Sequence, residues 1–189
     1  MISTARTAPV TATELPALSS RLSIEGKRTE LVRGDLIVMT PAGGRHGQVA
    51  HRVGLVIGNH VLDRNLGRMF AAETGFLLQR DPDTVRAPDA AFVAGDRLGT
   101  GLIPAGFLEM APDLAVEVVS PGDSASAVQA RVDDWLAAGT RLVWVVDPET
   151  RSVIVHRRAG AAVVVPEAGT LDGAPVFSDF SVLVRDLFI

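Results

Sequence analysis

Residues 111–121 read APDLAVEVVSP, and the run from Asp113 to Ser120 within them decides the fold. From Leu114 to Val119 every position but one is apolar, and Val116, Val118 and Val119 are β-branched. A half-buried strand would alternate apolar and polar residues. Continuous apolar character instead marks a central strand covered on both faces. The exception is Glu117. An ionised carboxylate in such a strand is costly unless it is paired or bound to a cation.

Toward the C-terminus, Pro121-Gly122 breaks the strand and Ser124 is placed to cap a helix. Val128, Val132, Trp135 and Leu136 form its apolar stripe and Gly139 ends it. Arg141 to Val146 is a second buried strand, followed by the turn Asp147-Pro148-Glu149-Thr150. Ser152–His156 and Ala162–Val165 form a hairpin or meander, and the tail gives a last strand and a short helix.

Toward the N-terminus, Asp89 to Val93 is a short strand and DPDTVRAPD before it is a turn-rich connector. Gly67 to Gln79 alternates loosely and reads as one strand. Val49, Val53, Val56, Ile57 and Val61 recur at helical steps, so a long helix is expected from Arg45 to about Asn65. Thr29 to Thr40 reads as a hairpin turning at Arg33-Gly34-Asp35, and Thr11 with Glu14 has capping-box spacing for an earlier helix. Residues 1–10 are expected to be disordered, and residues 11–189 to form a single domain. The fold class is α/β (α+β): a mixed β-sheet flanked by helices.

The composition narrows the chemistry. Cysteine is absent, which excludes disulfides and thiolate sites. No apolar run is long enough for a membrane span, and the N-terminus is a poor signal peptide. A cytoplasmic protein without a membrane partner is expected. The net charge is −4, yet the cations concentrate in the first third. His46, His51 and His60 lack zinc-motif spacing, Gly95, Gly99 and Gly101 form no dinucleotide fingerprint, and no G-x-S-x-G is present.

Asp89 and Glu117 are therefore the candidate site. Two carboxylates from adjacent strands make an oxygen-lined site suited to Mg²⁺ or Mn²⁺, which could polarise a phosphate for phosphodiester hydrolysis. Read from these residues alone, a strand-end Asp at a turn and a Glu paired to an arginine are the somewhat favoured reading.

Five stretches, in order, add to this: TELVRGDLIVMTPAGGRHG (29–47), AETGF (72–76), VRAPDAAFV (85–93), APDLAVEVVSP (111–121) and LAAGTRLVWVVDPETRSVIVHR (136–157). Together they closely resemble the Uma-two family of restriction-endonuclease-like proteins, within the PD-(D/E)XK nuclease superfamily. The resemblance implies a restriction-endonuclease-like fold and metal-dependent cleavage of DNA. By the same resemblance, Pro88-Asp89 matches the PD element and Glu117 the (D/E) position, so these two would bind the metal. Glu30 matches the acidic residue opening the first hairpin, Glu73 an acidic residue ahead of the PD element, and His46 the frequent histidine at the start of the long helix. The motif lysine is missing, since Val119 stands in its place. The family usually supplies it from the following helix, where Arg131 stands. Arginine can hold a phosphate but remains protonated, so it cannot serve as a general base. Lys27 is the one lysine in the chain. A DNA endonuclease is the leading expectation; a homodimer, which could address both strands of a duplex, is compatible with it but not demanded by the residues. A nuclease-fold protein that binds nucleic acid or a protein partner without cutting is the alternative.

Overall fold

The structure is a computed structural model and describes residues 8–99 and 101–189. Most of the expected disordered stretch, residues 1–7, lies outside them. Val10, at its end, is buried and donates its amide to Gly34 O.

Helix α1 (Leu15–Ser23) leads into the hairpin β1 (Arg28–Val32) and β2 (Asp35–Met39). Arg33 and Gly34 both have positive φ at its turn, the mirror-image geometry that suits hairpin twist. Helix α2 (Gly44–Arg64) follows, with Val49, Val53, Ile57 and Val61 on its buried face. Asn65 closes it in the left-handed conformation, rather than Gly67 as the sequence suggests.

Gly67 to Gln79 is two strands, not one. β3 (Gly67–Ala71) and β4 (Phe76–Gln79) are separated by a turn in which Glu73 takes a positive φ, and they belong to different sheets. The connector read as turn contains a three-residue strand, β5 (Thr84–Arg86). β6 (Ala90–Ala94), the short helix α3 (Gly95–Leu98), β7 (Leu114–Val118), α4 (Ala125–Ala138) and β8 (Leu142–Asp147) follow. Then come β9 (Ser152–Arg157), β10 (Val163–Val165), β11 (Thr170–Asp172), β12 (Ser181–Leu183) and a final 3₁₀ turn, Val184–Leu187.

The main sheet runs β10-β9-β8-β7-β6-β3 and is antiparallel except for the central parallel pair β7–β8. That pair needs a crossover, and α4 provides it. All five residues of β7 are buried, as continuous apolar character predicts. Leu114, Val116 and Val118 pack with the α2 valines on one face. Ala115 packs with Val132 and Trp135 of α4 on the other. Strand alternation therefore sends Glu117 toward α4.

A second, antiparallel sheet runs β2-β1-β5-β4 and has its own core with α1 around Leu15, Leu31, Leu77 and Val85. Ala87-Pro88-Asp89 carries the chain from this sheet to the main one. Among the described residues no helix is long and apolar enough to cross a membrane. The expected α+β class, a mixed sheet flanked by helices, is the observed one.

Candidate functional site

The carboxylates singled out in the sequence gather where the two sheets meet. Asp89 ends the crossing segment. Its Oδ2 accepts the Val118 amide at 2.8 Å, which pins the start of β6 to the end of β7. His46, in the first turn of α2, brings Nε2 to 3.2 Å from the same oxygen, and both side chains are about nine-tenths buried. Glu30 on β1 is buried and accepts from the Ala87 amide at 3.0 Å and from Arg86 Nη1 at 2.7 Å. The first hairpin thus holds the Pro88-Asp89 segment through a side chain of its own.

Glu117 is buried, with both oxygens engaged. Trp135 Nε1 donates to Oε1 at 2.7 Å. Arg131 Nε lies 3.0 Å from Oε2, an ion contact in which the N–H is not aimed for a hydrogen bond. Arg131 and Trp135 are one turn apart on α4, so they approach one carboxylate together. Burial pushes Glu117 up to about 8, and the neighbouring Glu30 and Asp89 charges add to this. Arg131 and the Trp135 hydrogen bond oppose it without reversing it. Desolvation works against the Arg131 charge too, but Glu117 and Asp123 outweigh it and hold the guanidinium above its ordinary value. The arginine shift favours a charged pair and the glutamate shift a neutral acid. Arg131 stays charged either way, because Asp123 holds it from the other side, with Nη2 to Oδ2 at 3.0 Å. Burial therefore decides the state of Glu117, which is largely protonated at neutral pH.

Arg86 ties this cluster to α4. It gives one nitrogen to Glu30 and two to Asp134, Nε at 3.0 Å and Nη2 at 2.6 Å, and all three side chains are largely buried. Arg33 approaches Asp134 from outside at 3.5 Å.

A cleft of about 870 Å³ opens beside Asp89. Asp89 and His46 line it, with Lys27 from the α1–β1 connection, Arg28 from the start of β1, His51 from α2 and Glu73 from the turn after β3. The rest of its lining is mostly apolar. Glu73 is exposed and pairs with Arg28 at 3.3 Å, so it stands on the wall while Glu30 is buried. Neither Arg131 nor Glu117 lines the cleft.

A divalent ion is the group this arrangement has to be measured against. The candidate donors are carboxylate oxygens, which suit a hard cation that would also draw the proton off Glu117. Among the described residues no three His, Asp or Glu side chains converge to hold one. Mg²⁺ commonly takes one or two carboxylates and completes its shell with water and substrate phosphate. Asp89 and Glu117 fit that kind of site and not an all-protein cage. Glu117 would first exchange its contact with Arg131.

Sequence reasoning had no access to several of these partners. Trp135 reads as core, and nothing in the sequence singles out Asp123, Arg86 or Asp134. The available signal was the four-residue spacing of Arg131 and Trp135 on the helix after Glu117.

The comparisons with known proteins agree with the fold. The chain resembles the crystal structure of a "putative nuclease belonging to DUF820" from Anabaena variabilis ATCC 29413. The TM-score is 0.81 at 24% identity, over 95% of this chain and 98% of that one. No curated protein matches. The family model described as "Putative restriction endonuclease", Uma2, matches residues 15–185, nearly the whole chain, and the chain belongs to that family.

Proposed function

We propose that this protein is a divalent-metal-dependent endonuclease that hydrolyses phosphodiester bonds in DNA, working at the Asp89 end of the cleft. The observation that carries this reading is the set of carboxylates, Glu30 on β1, Asp89 at the entry to β6 and Glu117 on β7, brought to one region of the fold. Burial is the main cause that raises Glu117, and the nearby Glu30 and Asp89 charges add to it, so the three carboxylates favour a bound cation. Asp89 and Glu117 would hold the ion, which supplies Lewis acidity at the phosphate. His46 keeps Asp89 in place. Trp135 orients Glu117, and Arg131 keeps its positive charge next to the site through Asp123. Because Arg131 cannot accept a proton, its contribution is electrostatic.

A second reading has its own observation. Both Glu117 oxygens are engaged by α4, which suits a nuclease fold that binds nucleic acid without cutting it. Plasmid cleavage in Mg²⁺ or Mn²⁺ separates the two. Nicking or linearisation by the wild type, lost in Asp89→Ala and Glu117→Ala, is the expected result. Cleavage only by Arg131→Lys would mean that this helix position disarms an otherwise intact site. No cleavage by any of the proteins, with melting curves identical in metal and EDTA, would sink the nuclease reading.

A further inference from the structure

The chain carries eighteen Lys and Arg residues, and Lys27 alone among them is lysine. In sequence it is remote from Asp89 and Glu117. In the structure it lines the same cleft as Asp89 and His46. The other cations near the site are already engaged. Arg131 is held between Glu117 and Asp123, Arg86 between Glu30 and Asp134, and Arg28 faces Glu73. The Lys27 side chain has no hydrogen-bond or ion-pair partner among the described residues, and it is only partly buried. Its backbone amide donates a hydrogen bond to Leu22 O at 3.1 Å, which roots the side chain at the cleft wall.

We propose that Lys27 is a phosphate-contacting residue of this cleft, holding the backbone of a bound nucleic acid so that a phosphodiester lies toward Asp89. An ammonium on a flexible stem suits this task. It is a compact charge with three donors that can follow a phosphate without the fixed fork of a guanidinium. The lining is otherwise mostly apolar and its acidic members, Asp89 and Glu73, repel a polyanion. An unpaired cation in that wall is therefore what makes phosphate entry favourable. Arg45 is the nearest competitor, but it lines a neighbouring hollow on the far side of His46, not the cleft itself. The inference rests on the proposed nucleic-acid substrate, and not on whether the substrate is cut.

The lone lysine makes the test direct. Reductive ¹³C-methylation of the full chain labels one side-chain amine, which keeps its charge, together with the α-amine. Titration with a short DNA duplex, metal-free, should move the side-chain signal, and added salt should reverse the shift. In parallel, binding measured by fluorescence anisotropy across a salt series should weaken in Lys27→Met, by up to about eightfold near 0.1 M salt. The slope of log affinity against log salt should become shallower by about 0.9, with no change of sequence preference. Lys27→Arg should restore both. A shifted signal and shallower slope, with no cleavage in the Mg²⁺ or Mn²⁺ plasmid assay, would keep this assignment and sink the endonuclease reading. DNA bound with the signal and slope unchanged would overturn the assignment and leave that reading standing. No DNA bound at all would overturn both.

Discussion

Glu117 concentrates the conflict between folding and chemistry in one side chain. Burial holds it at about 8 against an ordinary 4.5, so the folded protein keeps a proton that the unfolded chain releases. Stability from this group therefore falls as pH rises from about 4.5 to about 8, and the full penalty remains above that. Glu117→Gln keeps an acceptor for Trp135 and removes the charge. It should match the wild type in acid and exceed it at about pH 9 by a few kcal/mol, the order of magnitude such a shift implies. Urea melts of both proteins across that range check this, and a constant difference at all pH values would refute it. Asp89 and Glu117 were legible in the sequence because each is a charge in an otherwise apolar strand context, which demands an explanation. Trp135, Asp123 and Lys27 were not. Each has an ordinary alternative as core, turn or surface, and only distance reveals what it faces.

Among the elements, α4 shows most plainly how local chemistry fixes a functional position. Ser124 is its N-cap, its side-chain oxygen accepting the Ala127 amide at 3.2 Å, and Gly139 closes it at φ 109°. These caps set where the helix begins and ends, and so which residues point back at Glu117. Ser124→Ala should cost about 1 kcal/mol in a urea melt. The helix, the first hairpin and the buried strands were readable because caps, turn residues and apolar period are local signals. The break between β3 and β4 was not. It lies at Ala72-Glu73-Thr74-Gly75, where a non-glycine residue takes the left-handed conformation and no proline marks the turn. Nor was β5, whose three residues are too few to show a period.

For the molecule as a whole, the decisive arrangement is two sheets with the site at their junction. β1 pairs with β5 across the whole of α2 and β3, a choice of partner that no local pattern encodes. Arg86 fastens this junction by bridging Glu30 of one sheet to Asp134 of the helix covering the other. Arg86→Met would leave Glu30 buried without its cation and Asp134 with Arg33 alone, and should cost about 3–5 kcal/mol, read as a lower urea midpoint. A change within experimental error would mean that the sheets are held by their apolar contacts alone. The buried acid in β7 has one more consequence. A search for heat-resistant variants of this protein, selected without regard to activity, would be drawn to Glu117, because neutral replacements there relieve a standing penalty. Under the proposed function its most durable products would be its least active ones, so resilience and usefulness would be opposed at a single codon.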